Sequence, residues 1–206
     1  MLIINDIMAR EKFRDRNFVG VTFPVLLKIY ICAMVDKYIS KAGLPDIAAI
    51  EELVNSAYRG DDSKKGWTSE ADLIDGSLRT DINSLRKILS RPGATILKYT
   101  NDAGEINGCV YLQFETDCLE LGMLSVDPTL QASGIGKKLL QAAIAHAKEA
   151  GVHKIKLKVI SLRSELVAWY QRHGYQFTGE IQPMPPDANF GKPRQPLELA
   201  TMALEL

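Results

Sequence analysis

The stretch VDPTLQASGIGKKLL, Val126 to Leu140, follows an apolar run ending Leu124-Ser125-Val126 and opens a segment of helical periodicity. It sets Gln131, Gly134, Gly136 and Lys137 at a helix start. The first turn of a helix carries orphan N–H groups and about half a positive charge from the macrodipole, and glycines there let an anion approach the backbone. Strand, glycine-rich turn and helix together read as a phosphate cradle. An ordinary strand-to-helix turn, with glycine used for shape alone, is the competing reading. Spacing excludes two familiar cradles. A dinucleotide fingerprint needs a third glycine where Leu139 stands, and a P-loop needs glycine at Gln131 and Ser or Thr at Lys138.

Downstream, the helix expected from Ile135 to Ala150 presents Leu139, Leu140, Ala143, Ile144 and Ala147 on one face, and Gly151 closes it. HKIKLKVI, His153 to Ile160, then alternates lysine with apolar residues as a half-buried strand does. A strand, helix and strand of this length form a right-handed βαβ unit, so two neighbouring strands should be parallel. Helix RSELVAWYQRH and strands near GYQFTGEI and LELATMALEL follow, with the loop Pro183 to Pro196 between those two strands. Upstream, ATILKYT, INGCVYLQFE and CLELGMLSV read as an antiparallel meander. Before them come a strand at DKYISKA, a helix with Ile47, Ile50, Val54 and Ala57 on one stripe, a turn-rich segment from Arg59 to Ser69, and an irregular helical region from about Glu70 to Leu89 interrupted by Gly76. The fold class is α/β of the α+β kind. It has a mixed, mostly antiparallel sheet with one parallel strand pair, flanked by helices.

A chain of 206 residues, 46% of them hydrophobic, suffices for one well-buried domain. Lysine plus arginine and aspartate plus glutamate both number 25, so no broad footprint for nucleic acid exists and any phosphate binding must be local. Cys32, Cys109 and Cys118 are odd in number and lack C-x-x-C spacing, which argues against a disulfide framework and a zinc knuckle and fits a reducing cytoplasm. His146, His153 and His173 show no metal spacing. The run FVGVTFPVLLKIYICAMV, Phe18 to Val35, resembles a signal peptide or short anchor, but Pro24 and Lys28 interrupt it. Residues 1–33 are read as an extension of uncertain status and residues 34–206 as the domain, with no membrane partner expected.

The motif Q-x-x-G-x-G-K, straight after a strand ending LSV, resembles motif A of the GNAT superfamily of N-acetyltransferases. The segment AWYQRHGY, Ala168 to Tyr175, resembles their motif B, and the element order from Asp36 to Leu206 is theirs. The resemblance implies an acyl-CoA N-acyltransferase fold in which the strand before the cradle splays from its parallel neighbour. It also implies acetyl-CoA as co-substrate, no metal, and transfer of the acetyl group to a primary amine by direct attack on the thioester. Backbone N–H groups of Gln131, Ala132, Ser133, Gly134, Ile135, Gly136 and Lys137 would hold the pyrophosphate. Leu124, Ser125 and Val126 would pair with the pantetheine arm, with the N–H near Leu124 facing the thioester oxygen.

Tyr170 matches the family tyrosine. A phenol with pKa about 10 can protonate a departing thiolate whose thiol has pKa about 8.5. Without the resemblance, its stripe with Leu166, Trp169 and His173 reads as core. Glu120 stands where some members carry a general base, and its partial burial would raise its pKa. Arg163 occupies the place of an asparagine that contacts CoA in many members, and would meet a CoA phosphate instead. The acceptor site is expected around Arg59, Trp67, Arg79, Phe190 and Arg194. Guanidinium forks suit an amine that also bears a carboxylate, arginines held in loop salt bridges are the other reading, and a protein amine stays open as acceptor. A homodimer is compatible with the chain. From another class, a catalytically silent acyl-CoA-binding or sensing module would keep the cradle and lose the chemistry.

Overall fold

A computed structural model describes residues 37–185 and 190–206. The expected extension, residues 1–33, lies outside the described residues, as do residues 186–189 of the last long loop. The chain enters through a short strand β1 (Ile39–Lys41) and a 3-10 turn at Leu44–Asp46. The Asp46 carboxylate accepts the Gly43 N–H at 2.8 Å and the Lys98 ammonium at 2.6 Å, fixing the entry to helix α1 (Ile47–Tyr58). Ile47, Ile50, Leu53, Val54, Ala57 and Tyr58 are buried along α1, the stripe that a 3.6-residue period aims at a sheet.

A four-residue helix α2 (Gly60–Ser63) precedes a stretch that differs from the sequence expectation. Residues 70–81 are not helical. They carry a two-residue strand β2 (Ile74–Asp75), which pairs with β8 (Lys192–Pro193) from within the last long loop. The local chemistry explains the difference. Gly76 takes φ +125°, and Asp81 then caps helix α3 (Ile82–Leu89) by accepting the Ser84 N–H at 2.6 Å.

Strands β3 (Ala94–Thr100), β4 (Ile106–Phe114) and β5 (Leu119–Val126) form the expected meander. Helix α4 (Ile135–Glu149), β6 (Lys154–Ile160), helix α5 (Ser164–Arg172), β7 (Gln176–Pro183) and β9 (Glu198–Glu205) complete the fold. The seven-stranded sheet runs β1-β3-β4-β5-β6-β9-β7, antiparallel throughout except for the parallel pair β5–β6.

Two cores cover the two faces, and strand alternation sorts residues between them. Ile96 and Cys109 pack with α1 and α3; Leu97, Val110 and Leu112 pack with Leu139, Leu140, Ala143 and Ala147 of α4. Cys109 on β4 and Cys118 just before β5 are both buried, as small apolar residues on or beside strands should be, and burial pushes the Cys109 thiol up to about 12. Along β5 the alternation breaks. Leu119 and Leu121 face the α4 core, Met123 faces the α1 core, and Leu124 and Val126 face α4 again.

Such an exchange of faces requires one extra residue, and the β4–β5 register shifts between Cys109 and Tyr111, opposite Met123 with its φ of +51°. The parallel pairing of β5 with β6 covers only Leu119 to Leu121. Beyond it the strands diverge, and the backbone from Leu124 to Val126, paired with β4 at Ser125 and Val126, does not pair with β6.

Candidate active site

After Val126 the chain turns through Pro128–Leu130, where Asp127 accepts the N–H of Thr129 at 2.8 Å and its hydroxyl at 2.6 Å. Gly134 caps α4 with φ +90°, a conformation in which a side chain would be strained, and a Cβ built there meets open space. The floor of the turn is therefore bare backbone. The Lys138 N–H makes the first ladder bond, to the Gly134 carbonyl at 3.0 Å, so those of Ile135, Gly136 and Lys137 occupy the orphan positions of the first turn. These groups line a cleft of about 610 Å³, closed on its other side by Trp169 and Tyr170 of α5. Leu124 and Val126 line it too.

Several expected residues sit elsewhere. Ser133 and Ser125 are outside the lining of both clefts: the Ser133 hydroxyl donates to Leu130 at 2.6 Å, and the buried Ser125 hydroxyl donates to the Met123 carbonyl at 3.2 Å. Trp67, expected beside the acceptor, lines the cradle cleft instead, its ring centroid 6.2 Å from that of Trp169. The cause is the Gln131 side chain, which accepts the Trp67 N–H at 2.8 Å and donates to the Thr68 hydroxyl at 2.7 Å. A Cβ at Gly66 would stand 2.6 Å from that same carboxamide oxygen, so glycine permits this close approach. Arg194 lines neither cleft; its guanidinium holds Asp75 at 2.8 Å beside the β2–β8 pair.

A second cleft of about 320 Å³ occupies the wedge between β5 and β6. Glu120 to Leu124 form one wall and Leu157 to Ile160 the other, with Arg59, Arg79 and Phe190 above them. The two clefts share Tyr58, Leu124, Arg163, Leu166 and Tyr170. Tyr170 is 6% exposed, edge-on to Trp169 and Tyr175. Burial first, then the neighbouring tyrosines Tyr58 and Tyr175, raise its pKa well above 10, so its proton stays on at neutral pH. Glu120 is 41% exposed on its side chain and lies 4.0 Å from Lys158 across the wedge.

Two residues that the sequence did not single out organise this junction. The Tyr58 hydroxyl donates to the Leu124 carbonyl at 2.7 Å, bracing the strand at its divergence. Glu70 is 5% exposed and gathers three arginines. Arg59 donates to it, Arg163 donates at 3.1 Å, and the Arg79 Nε stands 3.8 Å away. Arg163 also donates to the Thr68 carbonyl. The guanidinium expected to meet a CoA phosphate is thus committed to Glu70 and Thr68. In sequence, Tyr58 is only the last residue of the helical segment, outside its stripe, and Glu70 has no motif at all.

Residues 48–175 match the acetyltransferase (GNAT) family, more than half of the chain, and the chain belongs to that family. Among relatives it is similar to the protein YdhI of Bacillus subtilis, 36% identical over 77 residues, which cover 37% of this chain and 47% of YdhI. The chain thus spans about half the length of that curated relative. Its fold is that of the ribosomal-protein-S18-alanine N-acetyltransferase of Escherichia coli, with a TM-score of 0.60 at 18% identity over 81% of this chain and 92% of the other. It is also that of yncA from Salmonella typhimurium, solved with its cofactor acetyl-CoA, with a TM-score of 0.57 at 22% identity over 82% of this chain and 92% of the other.

Acetyl-CoA is the family's acyl donor, and the cradle fits its pyrophosphate: orphan donors, bare backbone at Gly134, and an open cleft beside them. Among the described residues there is no group of three His, Cys, Asp or Glu arranged to hold a metal, and no helix is long and apolar enough to cross a membrane.

Proposed function

We propose that this chain is an acetyl-CoA-dependent N-acetyltransferase acting on a primary amine of a small molecule in the cytoplasm, with residues 34–206 as its domain. The observation that carries this reading is the meeting of the two clefts at Tyr170 and Leu124. One cleft suits a pyrophosphate and the other a small polar guest, so two ligands would touch at those residues.

Acetyl-CoA supplies an acetyl group already activated as a thioester. The first turn of α4 would hold its pyrophosphate, and the edge of Leu124 to Val126 that does not pair with β6 would take its arm as an added strand. An N–H at Leu124 would polarise the acetyl carbonyl, held in place by the Tyr58 bond to the same residue. Tyr170 keeps its proton and would deliver it to the departing sulfur. Glu120, at the closed end of the wedge where β5 still pairs with β6, is the base that takes a proton from the incoming ammonium, directly or through water.

Thiol release from acetyl-CoA, followed against a panel of amines, tests the proposal. Release that rises with one amine and yields its acetamide supports it. Tight binding of acetyl-CoA with no acceptor across the panel, peptides with free amino groups included, would instead support a silent acyl-CoA-binding module.

A further inference from the structure

The second cleft holds more positive charge than its own side chains can use. Arg59, Arg79 and Arg163 converge on one carboxylate, that of Glu70. The remaining charged residues of its lining are Glu120 and Lys158, which face each other across the wedge and balance. The three guanidiniums are not equivalent. Arg163 is divided between Glu70 and the Thr68 carbonyl. Arg59 is 3% exposed, donates to Glu70 and to the Phe190 carbonyl at 3.5 Å, and buries its Nε without a partner among the described residues. Arg79 stands apart. Its side chain is 41% exposed, its nearest oxygen on Glu70 is 3.8 Å away, and its backbone N–H is anchored on Asn55 at 2.6 Å.

Tyr58 relates this arginine to the reaction centre. The Arg79 guanidinium lies 5.7 Å from the Tyr58 ring centroid, and the hydroxyl at the far end of that ring bonds the Leu124 carbonyl at 2.7 Å. One tyrosine ring therefore separates the available guanidinium from the point where the clefts meet. The geometry points to an acceptor that carries a carboxylate a few bonds from its reacting amine, the chemistry of an amino acid, with Arg79 receiving the carboxylate.

This rests on the acetyltransferase reading above. A guanidinium fork takes a carboxylate in two parallel hydrogen bonds, and the unbalanced charge of the cluster, in a half-closed cleft, strengthens the attraction. A polyamine meets the same charge as repulsion. The transfer then proceeds at the amine: an N–C bond forms to the acetyl carbon, the C–S bond breaks, the sulfur leaves with the electron pair and gains a proton, and the amine nitrogen loses one.

The experiment compares each of the standard amino acids with its own carboxamide, and with spermidine, in the thiol-release assay on the full chain, with calorimetric binding of the same compounds as a second readout. A hydrogen bond to a charged partner distinguishes the pair by roughly 10- to 10²-fold in kcat/KM, or in Kd. The preference should collapse toward one in Arg79→Ala and be partly kept in Arg79→Lys, which retains charge but not the fork. Carboxamides turned over or bound as well as the acids, a better rate with spermidine, or an unaltered preference in Arg79→Ala would each overturn the inference. So would a panel in which no amino acid is either acetylated or bound. Carboxylate-selective binding without any thiol release would keep the anion site and sink the acetyltransferase reading instead.

Discussion

Glu70→Gln keeps the shape of a side chain that is 7% exposed and removes its charge. Arg59, with 1% of its side chain exposed, and Arg163, with 8%, then remain buried facing a neutral amide. Neither can turn to water without opening the junction of the two clefts. Breaking a buried ion pair by removing one partner costs about 3–5 kcal/mol, because the other charge is left uncompensated. Arg79, at 41% exposure, rehydrates and adds only the small contribution of a surface pair, about 0–1 kcal/mol. For a chain of this size each kcal/mol lowers Tm by about 2–4 °C, so the expected fall is roughly 6–24 °C. Thermal and urea unfolding of both proteins at matched pH would measure it. Added sulfate or chloride should recover part of the loss in Glu70→Gln by supplying an anion to the arginines, and should do less for the native chain. A loss below about 1 kcal/mol, insensitive to salt, would refute the assignment of Glu70 as the group on which this arginine cluster depends.

Gly134→Asp places a carboxylate where the α4 cradle presents bare backbone, in open space and near a helix N-terminus that tolerates an anion. Acetyl-CoA binding by calorimetry should weaken by an order of magnitude or more, with a fall in Tm of roughly 2–8 °C from a side chain strained at φ +90°, and unchanged affinity would remove the cradle from consideration. Tyr170→Phe deletes only a hydroxyl whose proton is firmly held; kcat should fall on the order of 10²-fold with acetyl-CoA affinity kept, whereas near-normal turnover would return this residue to the core. Burial, and then Lys41, lower the pKa of the half-buried His146. The unfolded chain therefore binds the extra proton first as pH falls below about 6.5, and the stability His146 contributes is complete above that pH and lost beneath it. The urea midpoint should drop between about pH 7.5 and about pH 5.5, and less so in His146→Phe, which keeps the packing against Phe114; equal drops would place the titration elsewhere.

What the sequence disclosed followed from short-range regularities. The apolar stripe of α1, the alternation of β6, and the glycines of the cradle each constrain the backbone within a few residues, so their positions were legible. The stretch from Glu70 to Asp81 was not. Its two-residue strand exists only because Lys192 and Pro193, more than a hundred residues later, return to pair with it. The failure of Trp67 and Arg194 to join the acceptor cleft has the same origin. Each is held by a partner distant in sequence, Gln131 for one and Asp75 for the other.

The site depends most on a feature that leaves almost no trace in composition. LELGMLSV reads as one continuous strand, yet the extra residue near Met123 changes which face its side chains occupy. Without it, Leu124 would point to the α1 core and its place at the junction of the two clefts would fall to a neighbour. The same irregularity begins just past Gly122, the residue after the last one pairing with β6, so the opening of the wedge and the turning of Leu124 belong to one short stretch of β5. Tyr58 reaches across from the end of α1 to hold that geometry from outside the sheet. On the proposed reading, a strand that exposes its backbone to one ligand while its neighbour withdraws to admit another cannot keep a regular ladder, and the break falls where both requirements meet.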